Sequence, residues 1–235
     1  MKPALFVLSF FFLVLTTKPL VASAETVLDI DGEPLQWGVN YYILPAFRGF
    51  GGGLNLGTIN NNTICPLYVN QEGLEISNGR PFLFSSVFSK FLFVTTSTDL
   101  QIKSSGITVC IQSMVWKLVK ELTGVRFVST NGVETPGSER IPSLFTIEQD
   151  GESDYKIVFC PTESDVPTLC KALGIYIDED GKRHLALSDE IKPFTFRFKK
   201  AEEWASNAEE EDKNSPTSFF SSSLVRIFSK CCIRK

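Results

Sequence analysis

The chain has 235 residues, of which 43% are hydrophobic and 21% charged, and its 23 basic and 27 acidic side chains give a formal net charge of −4. This length fits one domain with a tail. The acidic balance disfavours a general role on nucleic acids or anionic membrane surfaces, because such binding depends on clustered lysine and arginine opposite phosphates.

Residues 1–24 predict a secretory signal peptide. Lys2 supplies the positive start, residues 4–15 form an apolar core, and residues 22–24 are the small residues that a signal peptidase requires. A membrane anchor is the alternative, but the apolar run is short for a bilayer and is broken by Thr-Thr-Lys-Pro at residues 16–19. Cleavage after residue 24 removes two lysines and no acid, which changes the net charge from −4 to −6.

The next segment combines a turn with a strand pattern. Asp31 and Gly32, followed by Pro34, are typical of a tight turn, since glycine accepts positive φ and proline fixes its own φ. Residues 39–44, which include two adjacent tyrosines, predict the first strand.

Short aromatic and β-branched runs recur between turn residues along the rest of the chain. They predict strands at residues 66–69, 81–84, 91–95, 100–103, 115–119, 126–129, 144–148, 155–159, 174–178, 184–187 and 194–198. Hairpin turns are predicted at residues 149–151 and 179–181, and residues 195–198 alternate between polar and aromatic. About a dozen strands and little helix predict a closed all-β architecture.

The chain has six cysteines, which is consistent with disulfide formation in the secretory pathway. Cys231 and Cys232 are adjacent near the C-terminus, so the candidate disulfide framework comprises the other four: Cys65, Cys110, Cys160 and Cys170. Four cysteines permit three pairings, and their spacing does not choose among them. A zinc site is disfavoured, because the chain has no C-x-x-C pair and only one histidine.

Three stretches together resemble the plant Kunitz family of the soybean trypsin inhibitor type. They are the order Leu, Asp, Gly, Pro, Leu with paired tyrosines in residues 27–44, the Cys-Pro-Leu of residues 65–67, and residues 155–161. The resemblance covers residues 25–200 and implies a β-trefoil of twelve strands in three pseudo-repeats. It also implies disulfides that join Cys65 to Cys110 and Cys160 to Cys170.

The resemblance further implies an inhibitor of serine endopeptidases that acts in plant defence, in the extracellular space or the vacuole. The family carries its reactive loop between the fourth and fifth strands, which corresponds here to residues 85–92. The expected reactive residues are Phe88, Ser89, Lys90 and Phe91. Lys90 would enter a trypsin-like pocket, and Phe88 or Phe91 a chymotrypsin-like pocket.

Two departures from the family pattern concern this loop. The spacing between the matched stretches is one residue longer than in familiar trypsin inhibitors, so Ser89 is an alternative to Lys90 at the specificity position. The asparagine that braces the loop in those inhibitors corresponds here to Trp37, which cannot accept hydrogen bonds in the same way. Alternatives are a non-inhibitory storage, taste-modifying or ligand-binding trefoil, or an inhibitor of another hydrolase class.

No enzyme activity and no cofactor are expected. His184 is the only histidine base available to a nucleophile, and it is interpreted as a partly exposed strand residue. Asp178 and Asp180 are interpreted as solvated turn charges. Residues 51–53 are three glycines without the Lys-Ser/Thr of a phosphate-binding loop.

Two further features lie outside the predicted strands. Asn61 begins an Asn-Asn-Thr sequon and is a predicted glycosylation site, with an ordinary polar turn as the alternative. Residues 201–235 form a non-globular tail that we expect to be disordered or removed as a sorting propeptide. As an amphipathic helix, its last segment could instead contact a membrane or a sorting receptor.

Overall fold

The structure, a computed structural model, describes residues 24–59, 64–87, 92–120, 124–161 and 170–202. The predicted signal peptide except for its last residue, and the predicted tail beyond Glu202, lie outside the described residues. Within the described part of the chain, no helix is long and apolar enough to cross a membrane.

Strands dominate the described residues. They are β1 (Asn40–Pro45), β2 (Leu54–Gly57), β3 (Tyr68–Gln71), β4 (Pro81–Ser86), β5 (Leu100–Ser104), β6 (Lys117–Lys120), β7 (Arg126–Ser129), β8 (Thr146–Gln149), β9 (Tyr155–Phe159), β10 (Lys171–Ala172), β11 (Gly174–Ile177), β12 (Arg183–Leu187) and β13 (Phe196–Lys200). A short 3-10 helix spans Ser138–Ser143. The prediction of an all-β chain is confirmed.

Apart from shifts of one or two residues at strand ends, the predicted and observed strands differ at three places. The sequence does not predict β2 or β10, because both are short and contain no β-branched or aromatic residue. They are strands because they pair with β3 and β9 respectively. The predicted strand at 91–95 is wrong over its described residues. Phe93 and Thr95 form only isolated bridges, with Gln36 and Thr26 respectively, and no continuous ladder.

Six strands close into a barrel. β1 pairs with β4 and β4 with β5, while β8 pairs with β9, β9 with β13, and β13 with β1. Leu100 of β5 and Phe145, just before β8, exchange reciprocal backbone hydrogen bonds of 2.9 and 3.0 Å. Each barrel strand is therefore joined to a neighbour on both sides, as closure requires.

Three hairpins form the second sheet: β2–β3, β6–β7 and β11–β12. Their inner strands β3, β7 and β12 each pair with the other two, so the hairpins meet in a triangle. Along the chain, each hairpin lies between two barrel strands. This threefold arrangement is the β-trefoil that the family resemblance implies.

Aromatic side chains fill the barrel. The fully buried aromatic residues include Phe82, Phe84, Trp116, Phe145, Phe196 and Phe198. Phe82 meets Trp116 edge-on with ring centroids 5.0 Å apart, and Phe84 meets Phe198 in the same way at 5.4 Å. The indole Nε1 of Trp116 donates a 3.2 Å hydrogen bond to Ser104 Oγ, so this buried polar atom is satisfied.

The local patterns predicted around two turns and one strand are confirmed. The turn at residues 149–151 joins β8 to β9, and the turn at residues 179–181 joins β11 to β12, with Gly181 at φ 78°. In β13, Phe196 and Phe198 are buried while Arg197 between them is partly exposed. Turn chemistry and period-two alternation thus fix the positions of these elements.

Two disulfides cross-link the trefoil. One joins Cys65 to Cys110, and the other joins Cys160 to Cys170. These are the pairs that the family resemblance implies. Because both bridges close loops of the unfolded chain, they reduce its conformational entropy and stabilise the fold.

The three glycines at residues 51–53 allow two stretches of backbone to approach closely. Gly52 N–H donates to Glu72 O at 2.8 Å, and Gly53 N–H donates to Ser77 O at 2.8 Å. A Cβ on Gly53 would lie 2.0 Å from Asn78 O. The glycine run is therefore a packing requirement for the loop between β1 and β2.

We expect Gly53→Ala to destabilise the fold by about 1–3 kcal/mol, because the added methyl group meets backbone atoms that cannot move independently. Gly73→Ala is the matched control, since no atom lies within 4 Å of the position of its Cβ. Urea unfolding of both variants measures the difference. Equal stabilities would contradict the packing role of Gly53.

Candidate functional site

The predicted reactive residues Phe88, Ser89, Lys90 and Phe91 lie outside the described residues, as does the predicted glycosylation site Asn61. Both flanks of the reactive segment are described, up to Val87 on one side and from Leu92 on the other. The candidate site is therefore described through the residues that form hydrogen bonds with these flanks.

The first flank is the end of β4. Ser85 pairs with Gln101 and Ser86 with Leu100 of β5. On the other side of β4, the carbonyl of Phe84 accepts a 2.9 Å hydrogen bond from Gly38 N–H. The chain thus enters the predicted loop from a strand that is bonded on both sides.

The second flank is held by the same stretch of chain, residues 25–38, which we call the N-terminal segment. Val94 N–H donates to Leu35 O at 2.8 Å, and Val94 O accepts from Val27 N–H at 2.9 Å. Thr96 N–H donates to Glu25 O, and Thr96 Oγ1 accepts from Glu25 N–H. One short segment therefore fixes both ends of the predicted loop.

Two tyrosine hydroxyls tie the N-terminal segment to the core. Tyr41 accepts a 3.1 Å hydrogen bond from Gln36 N–H, and Tyr155 accepts a 2.9 Å bond from Leu28 N–H. Burial raises the pKa of Tyr41, and the nearby charge of Asp29 raises it further, against the opposing effect of the Gln36 hydrogen bond. The phenol therefore stays neutral at physiological pH.

A buried carboxylate organises the turn of this segment. Asp29 Oδ1 accepts hydrogen bonds of 2.9 Å from the N–H groups of Asp31 and Glu33. Gly32 takes a φ of 81°, the left-handed conformation that glycine adopts at low cost. The sequence predicted this turn but not its support, because the carboxylate of Asp29 reads as an ordinary polar side chain.

Trp37 lies between the two points where the N-terminal segment meets the loop flanks. Its neighbour Gln36 bridges to Phe93, and its other neighbour Gly38 bonds to Phe84. The Trp37 side chain is partly buried and packs against the barrel core. An indole supplies apolar contact and one N–H donor, whereas an asparagine would also offer a carbonyl acceptor.

His184 is buried, so its interpretation as a partly exposed strand residue is wrong. Only 1% of its side chain is exposed, because β12 is an inner strand of the hairpin triangle. Its Nε2 lies 2.9 Å from Asp178 Oδ2, and its Nδ1 lies 2.9 Å from Asn70 Oδ1. Both ring nitrogens thus have structural partners, and neither partner is a serine or cysteine that the imidazole could activate.

Asp178 is correspondingly not a simple solvated turn charge. Burial raises its pKa, but hydrogen bonds from His184 and from Lys182 N–H stabilise the carboxylate, and the net effect lowers the pKa from 3.8. The Lys182 bond measures 2.8 Å. Among the residues described, no cluster of His, Cys, Asp and Glu side chains could hold a metal ion.

Fold and site together define a disulfide-linked trefoil that holds both ends of one loop through its N-terminal segment. The chain belongs to the legume-type Kunitz family, whose model, described as trypsin and protease inhibitor, matches residues 27–200. Proteins of this family are not enzymes.

Individual relatives cover most of the chain. Miraculin of Synsepalum dulcificum is 45% identical over 210 residues, which cover 82% of this chain and 94% of miraculin. Kunitz trypsin inhibitor 5 of Arabidopsis thaliana is 42% identical over 184 residues, or 77% of this chain and 88% of the relative. The family includes inhibitors of proteases and also non-inhibitory members.

A solved complex shows a similar fold. Soybean trypsin inhibitor, in its complex with porcine pancreatic trypsin, superposes with a TM-score of 0.63 and 30% sequence identity. The match covers 76% of this chain and 100% of that chain. The similarity thus extends over the trefoil.

We expect Asp178→Asn to remove an acid-sensitive contribution to stability. Because the folded pKa of Asp178 lies below its unfolded value near 3.9, the carboxylate stabilises the fold above about pH 4 and loses this effect as the pH falls through the folded pKa. The variant should lose about 1–2 kcal/mol at neutral pH. Urea unfolding between pH 7 and pH 2.5 should show this difference shrinking toward acid.

Asp180→Asn, in the same turn, is the control for the change in net charge. The Asp180 side chain is exposed. A stability difference between Asp178→Asn and the parent that stays constant down to pH 2.5 would contradict the role of the Asp178 carboxylate.

Proposed function

We propose that this protein inhibits serine endopeptidases of the trypsin or chymotrypsin type through a substrate-like loop at residues 85–92. The observation that carries the proposal is that the N-terminal segment bonds to both flanks of this loop, at Phe84 and at Val94. A loop whose ends are already fixed loses little conformational entropy when a protease binds it.

The chemistry of the loop residues suggests how a protease would be blocked. The ammonium of Lys90 would pair with a carboxylate at the base of a trypsin-like pocket, whereas the ring of Phe88 or Phe91 would fill an apolar pocket. If the protease cleaves the loop, the two new ends stay close together because both flanks remain bonded. Rejoining then competes with release, so the complex persists.

The relatives support protease inhibition as the general activity. Kunitz trypsin inhibitor 5 carries it in its name, and soybean trypsin inhibitor is bound to trypsin in a solved complex. That this chain acts specifically on serine proteases is a further, more specific part of the proposal. It depends on which of Ser89 and Lys90 occupies the specificity position.

The secretory route completes the proposal. Residues 1–24 act as a signal peptide and residues 25–200 form the inhibitor domain, which functions outside the cell or in the vacuole in plant defence. Two disulfides, Cys65–Cys110 and Cys160–Cys170, are consistent with folding in an oxidising compartment. Asn61 is the proposed glycosylation site.

A second candidate function is a non-inhibitory role, as a storage or ligand-binding trefoil. The observation that favours it is Trp37, which stands between the two flanking contacts where familiar inhibitors use asparagine. The 45% identity with miraculin points the same way, since the family includes non-inhibitory members. The two functions differ in whether the loop is rigid enough to resist a protease.

We expect the parent protein to inhibit trypsin stoichiometrically, and Lys90→Ala to weaken this inhibition by about 100-fold or more, because it removes the side chain that fills the pocket. Titration of trypsin and chymotrypsin with the parent and the variant measures the effect. Phe91→Ala is the comparison variant, and it should weaken trypsin inhibition much less than Lys90→Ala does.

The remaining outcomes separate the alternatives. Loss of chymotrypsin inhibition in Phe91→Ala alone would move the specificity position to that residue. No inhibition of either enzyme by the parent would overturn the serine-protease proposal and favour the non-inhibitory function.

We expect Trp37→Asn to strengthen trypsin inhibition by about fivefold, because the amide gains the carbonyl acceptor that an indole lacks. The control is Trp37→Phe, which keeps an aromatic side chain and adds no acceptor. Inhibition constants of folded variants measure the effect. A weaker inhibitor in Trp37→Asn than in Trp37→Phe would show that the indole itself supports the loop.

A further inference from the structure

A groove of about 250 Å³ lies beside the C-terminal end of β1. Its lining includes Ile30, Leu44, Phe47, Arg48, Glu75 and Arg197. β1 pairs antiparallel with the start of β4, Tyr42 opposite Pro81, so this groove is near the end of β4 that is remote from the predicted reactive loop. The groove is therefore separate from the proposed inhibitory site.

The apolar part of the groove is open to solvent. Ile30 is 46% exposed and Phe47 59% exposed, although both are large hydrophobic side chains. Phe50, three residues after Phe47 in the chain, is 53% exposed and meets Phe194 edge-on at 6.4 Å. Exposed apolar side chains that line a concave surface mark candidate binding sites.

Counting only partners in the described part of the chain, the charged part of the lining has one cation without a partner. Arg197 pairs with Asp154, and Glu75 Oε1 accepts a 2.5 Å hydrogen bond from Gly49 N–H. Arg48 makes no hydrogen bond or ion pair with any residue that the structure describes. In an acidic chain, an unpaired guanidinium beside an apolar surface favours an anionic ligand.

The loop that carries Phe47 and Arg48 is held firmly. The buried amide of Gln71 donates from Nε2 to Phe50 O at 2.8 Å and to Gly52 O at 3.0 Å. Arg183 Nη2 donates to Phe50 O at 3.0 Å. Together with the close packing of the glycine run, these bonds form the wall of the groove before any ligand arrives, which lowers the cost of binding.

We propose that this groove binds a small aromatic anion, whose rings pack on Phe47 and Ile30 while its carboxylate or sulfonate pairs with Arg48. A guanidinium matches such planar or tetrahedral oxyanions by bidentate hydrogen bonds. The volume accommodates a ligand of roughly two to three aromatic rings. The binding does not depend on the proposed protease inhibition, because it uses no residue of the loop or of its flanks. Ile30 belongs to the N-terminal segment, but its N–H donates to Phe198 O and not to either flank.

A matched pair of fluorescent probes tests the proposal on the protein secreted from the full chain. One probe is 1-anilinonaphthalene-8-sulfonate, and the other is N-phenyl-1-naphthylamine, which has the same rings without the sulfonate. We expect one saturable site for the anionic probe, weakened about fivefold in Arg48→Gln. The neutral probe should bind this variant as it binds the parent, and Phe47→Ala should weaken both probes.

Arg126→Gln is the control, since it removes an equal charge at a different cavity. It should leave the affinity for both probes unchanged. Equal affinity of the anionic probe for Arg48→Gln and the parent, or equal weakening by Arg126→Gln, would overturn the proposal. So would fluorescence that rises without saturation. Trypsin titrations with and without the anionic probe should agree, which keeps the groove and the inhibitory loop distinguishable.

Discussion

The reciprocal hydrogen bonds between Leu100 and Phe145 close the barrel, and the rest of the structure depends on that closure. With the barrel closed, the aromatic core around Trp116 is enclosed on all sides and its rings pack edge-on. β4 and β5 are then held in fixed register, with Ser86 opposite Leu100. The predicted reactive loop therefore starts from a framework whose position is set by the whole barrel.

The N-terminal segment connects the two flanks of the predicted loop to this framework. It is bonded to Phe84 and Val94 on the loop flanks, and the hydroxyls of Tyr41 and Tyr155 connect it to the core. Inhibition by a substrate-like loop requires restraint at both ends, and this single segment supplies it. Trp37, at the middle of the arrangement, is the position where the family resemblance predicts an asparagine.

In the hairpin triangle and in the groove beside β1, buried polar side chains fix the positions of neighbouring residues by hydrogen bonds. His184 bonds to Asn70 and Asp178 within the triangle, so a histidine that could suggest catalysis instead joins β3 to the turn after β11. Gln71 and Arg183 fix the backbone of the loop that carries Arg48. In both places a satisfied polar network positions neighbouring side chains, because an unpaired buried polar group would be costly.

The sequence by itself determined the all-β class, the turns around Gly32, Gly151 and Gly181, the alternation in β13 and, through family resemblance, the trefoil and the disulfide pairs. These features depend on neighbours along the chain or on a motif that can be matched. Only the tertiary structure decided that β2 is a strand, that His184 is buried, and that tyrosine hydroxyls support the loop. Leu28 and Tyr155 are 127 positions apart, and His184 and Asn70 are 114 apart. Contacts at such separations depend on how the barrel and hairpins pack, so local sequence patterns cannot predict them.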